Sequence, residues 1–159
     1  MKVLGIDPGA GGAGAYLEGR DLVQVWDMPT VTTATGKRRI DAPALAAIVR
    51  KLPRIDQAII ELVGPMPRDG SAGSFWFGKS AGLAEGVLAG LGVPVITVPP
   101  QVWKRRLDVP ANKDGARARA TTLFGDIGEQ FWPLKKHDGR AEAALIALWG
   151  YMDVVAGKW

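Results

Sequence analysis

Apolar residues fall in short blocks along the first part of the chain. Lys2 to Ile6, Gly14 to Leu17 and Leu22 to Met28 each read as a strand, and the first turn between them is the glycine-rich Pro8-Gly9-Ala10-Gly11-Gly12. Connections this short join antiparallel neighbours, so the pattern predicts a meander. The period then changes. Ala44, Leu45, Ile48 and Leu52 recur at helical spacing, behind Asp41 as N-cap and Pro43 in the first turn, which predicts a helix over 42–52. Ile55 to Leu62 is apolar, β-branched and bounded by Pro53 and Gly64, as expected of a central strand whose crossover helix has just been supplied.

Pro65 to Gly73 is rich in Gly and Pro and reads as a loop directly after Glu61. From about Ser74 to Leu91 the spacing is helical, with Phe77, Ala81, Ala84 and Leu88 on one face. Pro94 to Val98 is a further short strand, stopped by Pro99-Pro100. Gln101 to Leu107, Lys113 to Phe124 and Asp138 to about Val155 read as three helices, the last with Leu145, Leu148, Trp149 and Met152 as a face to lay on a sheet. The sum is an α/β fold: a mixed five-stranded sheet, three antiparallel strands then parallel ones, with helices on both faces. A chain of 159 residues with 47% hydrophobic content suits one domain over 1–159.

Composition narrows the chemistry. There is no Cys, which excludes thiol catalysis, disulfides and Cys-bound zinc, and His137 is the only histidine, which excludes a multi-histidine metal site. Only oxygen ligands remain for a metal. No apolar run approaches the roughly 18 residues of a membrane span, and Met1-Lys2-Val3-Leu4-Gly5-Ile6-Asp7 is too short and too soon acidic for a signal peptide. A soluble, cytoplasmic protein with no membrane partner is expected. The formal charge of +4 is modest, but Lys104, Arg105, Arg106, Lys113, Arg117 and Arg119 cluster, and Lys135, Lys136 and Arg140 flank the last helix start. Such runs are either a solvated helical face or a phosphate-binding surface, and neighbouring metal-type acids favour the second.

Four acids stand where buried elements end or begin. Asp7 closes the first strand, Glu61 closes Ala58-Ile59-Ile60, and Asp138 and Glu142 open the last helix. Each has an ordinary alternative, since Asp-Pro-Gly is a good turn, a strand-end Glu can be surface charge and Asp138 suits a helix N-terminus. The pair Asp138 and Glu142 is harder to explain that way, because like charges four apart share a helical face and repel. Carboxylates at buried strand ends need cations or donors, and Mg²⁺ is the natural partner of an oxygen-only site. Two such ions about 4 Å apart can activate a water for in-line attack on a phosphodiester and stabilise the leaving 3′-oxygen. His137, beside Asp138, is a possible assistant through the phosphate or the water.

With these residues in view the chain resembles a RuvC-type Holliday junction resolvase of the ribonuclease H-like superfamily. The resemblance spans nearly the whole chain and rests on Leu4-Gly5-Ile6-Asp7-Pro8-Gly9, Ile59-Ile60-Glu61, Phe77-Gly78-Lys79-Ser80-Ala81-Gly82 with Glu85-Gly86, and Asp138-Gly139-Arg140-Ala141-Glu142-Ala143-Ala144-Leu145. It implies a ribonuclease H-like sheet and a homodimeric, Mg²⁺-dependent endonuclease, with Mn²⁺ able to substitute. Each subunit would cut one of two opposed strands of a four-way DNA junction, using Asp7, Glu61, Asp138 and Glu142 as metal ligands. Better-known bacterial members space the two late acids three apart and use Asp for both, so the four-residue spacing and Glu142 look more like the phage-type branch, whose members resemble broader branched-DNA nucleases. The family presents an aromatic side chain after the second acid to stack on unpaired bases, which points to Phe75 or Trp76. Lys79, Lys104 and Lys113 match its phosphate contacts, with Arg117 and Lys136 from the adjoining basic clusters. Two other readings compete: a YqgF-type RNA nuclease, whose second motif differs from Ile60-Glu61, and a branched-DNA-binding protein that does not cut. A sugar kinase or chaperone ATPase fragment would need a longer, two-lobed chain.

Overall fold

The computed structural model describes residues 1–62, 64, 70–112, 114–155 and 157. Three antiparallel strands, β1 (Lys2–Asp7), β2 (Ala13–Glu18) and β3 (Asp21–Asp27), form the meander, and β1 also pairs in parallel with β6 (Gln57–Glu61), which pairs in parallel with β7 (Val95–Val98). The five-stranded sheet runs β3-β2-β1-β6-β7. The expected mixed sheet is therefore present. The predicted strand over 55–62 is shorter than expected, because pairing with β1 starts only at Val3 with Gln57.

Side chains alternate across the sheet, and the two faces carry separate cores. Leu4, Ile6, Ala58 and Ile60 face α1 (Ala42–Lys51) and α2 (Ser71–Gly90). Asp41 Oδ1 caps α1 by accepting from the Ala44 N–H at 3.1 Å, as its position in the sequence predicts. Helix α2 begins three residues before the predicted Ser74. Val63 and 65–69, most of the predicted loop, lie outside the described residues, as does Lys113.

Val3 and Ile59 face the other way, toward α6 (Asp138–Val155). The predicted face of Leu145, Leu148 and Trp149 is buried, and burial extends further: Ala141 and every residue from Ala143 to Trp149 is buried, because α3 (Pro100–Arg106), α4 (Gly115–Phe124) and α5 (Asp126–Phe131) close over the outer side of α6. Gly5 lets α6 approach β1, since a Cβ there would collide with the Ala143 carbonyl and the Ala147 backbone.

Two features escaped the sequence reading. A hairpin of β4 (Thr30–Thr32) and β5 (Arg38–Ile40) follows β3, and its strands are too short and polar to show an alternation. The six-residue α5 is hidden between Gly125, whose φ of 64° breaks the helix before it, and Gly128 within it. A 3₁₀ turn over Lys135–His137 leads into α6. Among the described residues no helix is long and apolar enough to cross a membrane.

Candidate active site

Ile6 pairs with Ile60, so Asp7 and Glu61 are the next residues of two adjacent parallel strands. By the two-residue period they share the face of Val3 and Ile59, the α6 face. The first turns of α6 lie there. A Cβ on Gly139 would come within 3.0 Å of Asp7 Oδ2, so the absence of a side chain at 139 is what allows the carboxylate to lie against the helix start.

Three acids share one electrostatic environment. Burial, then the charges of Glu142 and Glu61, push the Asp7 carboxyl up from 3.8 to about 7, against weaker opposing help from the Gly9 N–H and Lys104. Burial and Glu142 likewise raise Glu61, while the Trp103 hydrogen bond and Lys104 lower it. Trp103 Nε1 donates to Glu61 Oε1 at 3.0 Å, fixing that carboxylate from the buried side. Lys104 Nζ donates to Glu142 Oε1 at 2.8 Å and stands 5.0 Å from the centre of the Trp103 ring. Glu142, Lys104 and Asp138 line one cleft of about 430 Å³ with Val109 and Pro110.

Asp138 is set apart. It is half exposed, and among the described residues Arg117 Nε, at 3.9 Å, is its closest cation; the hydrogen bond of Arg117 goes instead from Nη2 to Asp114 Oδ1 at 3.1 Å. Asp138 Oδ1 is buried and receives no hydrogen bond. A buried carboxylate oxygen with no hydrogen bond, and only a distant Arg117 guanidinium beside it, is one that a hard cation would satisfy. Among the described residues no three acidic or histidine side chains are gathered closely enough to enclose an ion. That spacing still fits Mg²⁺, which is held by one or two carboxylates plus water and substrate phosphate rather than by an all-protein cage. The donor set therefore fits in charge and ligand type.

The other predicted residues that the structure describes are spread more widely. Phe75 is 62% exposed, and its ring meets Trp76 edge to face at 5.5 Å. Lys79 Nζ lies 5.1 Å over Trp76, and both line an apolar cavity of about 460 Å³ toward Ile40 and Pro43, away from the acids. Phe77, assigned above to the core face, is instead partly exposed, with its ring edge beside the Gly9 turn. Burial and neighbouring Arg140 lower the pKa of His137, and its Nδ1 accepts from the Leu134 N–H at 3.3 Å, so the imidazole is tied to its own turn. Lys136 is exposed on that turn.

Sequence reasoning missed Trp103, which orients Glu61, and the hairpin arginines. Trp103 carried a usable signal, an aromatic next to the already singled-out Lys104. Arg38 carried none, because the hairpin that places it was itself not visible.

No protein-family model matches the chain. By sequence it is similar to the chloroplastic Holliday junction resolvase MOC1 of Chlamydomonas reinhardtii, at 33% identity over 154 residues; the match covers 80% of this chain, which spans only 17% of that relative's length. By structure it is similar to Thermus thermophilus RuvC in complex with a Holliday junction substrate, with a TM-score of 0.71 at 19% identity over 99% of this chain and 96% of the other. A second Thermus thermophilus RuvC structure gives a TM-score of 0.67 at 20% identity, covering 99% and 97%. The chain thus has the ribonuclease H-like fold of RuvC and is a homologue of a Holliday junction resolvase.

Proposed function

We propose that this chain is a metal-dependent, structure-selective DNA endonuclease that resolves four-way junctions or related branched DNA by paired phosphodiester cleavage, acting as a single nuclease domain over 1–159 within a homodimer. The observation that carries the reading is the meeting of Asp7, Glu61 and Glu142 at one end of the sheet, with Asp7 destabilised enough to rise to about 7. Carboxyls raised by burial and by one another's charge cluster at functional sites, which supports the reading. Similarity to a junction resolvase supplies the substrate class.

In this reading Asp7, Glu61, Asp138 and Glu142 hold Mg²⁺, or Mn²⁺ in its place. The bound metal supplies an activated water and charge stabilisation for the leaving 3′-oxygen. The chain's own groups orient and neutralise. Trp103 fixes the Glu61 oxygen, and Lys104 holds Glu142 while carrying a positive charge toward the phosphate. Phe75 offers an exposed ring for stacking on an unpaired base, worth about 1–3 kcal/mol. Arg117, Lys136 and Lys79 contact the backbone farther out, with Lys113 assigned by position and His137 as a neutral donor. Two-fold symmetry presents two such sites to a nearly symmetric junction.

The competing reading, a branched-DNA-binding protein without cleavage, draws on one observation: Lys104 already occupies a Glu142 oxygen. A panel of synthetic junctions, forks, flaps, linear duplexes and structured RNA, incubated with Mg²⁺, Mn²⁺ or EDTA, decides between them. We expect paired, symmetric nicks in the junction with either metal, none in EDTA, and loss of cleavage with retained binding in Asp7→Asn. Junction binding without any product in either metal would establish the non-cutting reading, and preferential cleavage of RNA the YqgF-type one.

A further inference from the structure

On the far side of the glycine-rich turn from the acids, a cleft of about 280 Å³ opens between that turn, strand β5 and the 3₁₀ turn ahead of α6. Basic side chains reach it from three separate elements. Arg140 is already neutralised: its Nε and Nη2 grip both oxygens of Asp27 at 2.6 and 2.7 Å, and its Nη1 donates to the Phe131 carbonyl at 2.9 Å. That pair braces the cleft wall and cancels the only carboxylate that lines it among the described residues.

Arg38 is different. It donates through Nη2 to the Ala10 carbonyl at 2.7 Å and through Nε to Thr30 Oγ1 at 3.3 Å, both neutral acceptors, so its charge and most of its five N–H donors are left for the cleft. Lys136 adds a second charge, with no carboxylate within ion-pair distance among the described residues. The Nδ1 of His137 is engaged as an acceptor, which leaves Nε2 as the proton-bearing donor of the neutral ring. Gly11 and Gly12 form the floor without side chains, so an anion can approach the backbone. The floor is also the back of the site: a Cβ on Gly12 would sit 2.8 Å from the Asp7 carboxyl carbon.

A cleft with a planar guanidinium fork, an ammonium and a neutral N–H donor, adjacent to the reactive acids, matches a phosphodiester. We propose that it is a second backbone subsite, in which Arg38, Lys136 and His137 hold a phosphate flanking the scissile one. The assignment rests on the nuclease reading above. It gives the β4–β5 hairpin a role: Arg38 couples the hairpin to the turn that carries Asp7, so a DNA strand seated in the cleft is held in register with the metal-binding acids.

Binding of a four-way junction is measured in EDTA across a salt series for wild type, Arg38→Gln and Lys136→Gln, and repeated with a neutral methylphosphonate at each phosphate flanking the cut. Each variant should weaken binding about tenfold and reduce the salt slope by about one. At one position the neutral linkage should weaken wild type about tenfold and Arg38→Gln clearly less, because only Lys136 and His137 still face that phosphate in the variant. Variants with wild-type affinity and slope, or neutral linkages whose effects add fully to Arg38→Gln at every position, overturn the subsite. Lys136 bonds no backbone group of the turn, so its variant decides the matter if Arg38→Gln misfolds. A wild type that cuts junctions while the variants behave normally removes the subsite alone. A wild type that neither binds nor cuts branched DNA removes the nuclease reading as well.

Discussion

Asp7 is a carboxyl that its own surroundings disfavour in the ionised form. Its carboxyl is raised from 3.8 to about 7 by burial and by Glu142 and Glu61, with Lys104 the facing cation. The folded state therefore binds a proton more tightly than the unfolded chain, and in metal-free protein stability falls as pH rises from about 4 to about 7 and is flat beyond. The loss is on the order of 4 kcal/mol for a fully buried group and smaller with the solvent contact Asp7 retains. Denaturant titrations in EDTA between pH 4 and 8 should show that decline for wild type and a clearly shallower one for Asp7→Asn, in which the raised Glu61 still titrates, and the variant should be the more stable of the two at pH 8. An unchanged pH profile in the variant would mean that another group carries the titration. Trp103 makes a separate prediction. Trp103→Phe keeps the buried ring but removes the donor to Glu61 Oε1, leaving a partly buried acceptor at a cost of about 1–3 kcal/mol. Turnover should fall at least tenfold with junction affinity unaltered, and equal losses in both would point to general damage instead.

Among the elements, α6 decides where the site forms. Its small residues let it settle on the sheet, and Gly5 is the closest point of approach, where a Cβ would meet the Ala143 carbonyl and Ala147 backbone. Backbone atoms cannot rotate away as a side chain would. Gly5→Ala should therefore destabilise by about 3 kcal/mol or more, read as a shift in the urea midpoint, and should lift Asp138 and Glu142 away from Asp7. Full stability in that variant would mean that the helix is not clamped as described. This element was legible in part. The spacing of Leu145, Leu148 and Trp149 announces a helix, yet periodicity cannot reveal that Ala143, Ile146 and Ala147 are equally buried, because that depends on α3, α4 and α5 arriving from elsewhere in the chain. The hairpin is the converse case. Thr30–Thr32 and Arg38–Ile40 are too short to carry a pattern, and only their pairing makes them strands.

For the whole molecule, the proposed paired cleavage would require a second subunit. Gly78, Gly82, Gly86 and Gly90 recur every four residues along α2, and a Cβ at any of them would meet nothing within 4 Å. Ala84 and Leu88 of the same helix are buried in the core, so the glycines line its outer side. If that side is the dimer contact, Gly86→Leu should lower the sedimenting mass from dimer to monomer, while replacing a mid-helix glycine keeps or raises the stability of each subunit, by about 1 kcal/mol at most. A dimer that persists in the variant would place the interface elsewhere. At this scale the division of labour is clear. Order and spacing alone determined the five sheet strands and the five longer helices, the oxygen-only ligand set and the identity of Asp7, Glu61, Asp138 and Glu142 as candidates, because periodicity, turn chemistry and residue type are local properties. Only the tertiary structure decided that Asp7 and Glu61 end neighbouring parallel strands on the α6 face, that Trp103 and Lys104 restrain Glu61 and Glu142, and that Asp138 stands farther out beside Arg117. Those outcomes depend on strand register and helix docking, which are set by contacts between residues far apart in the chain.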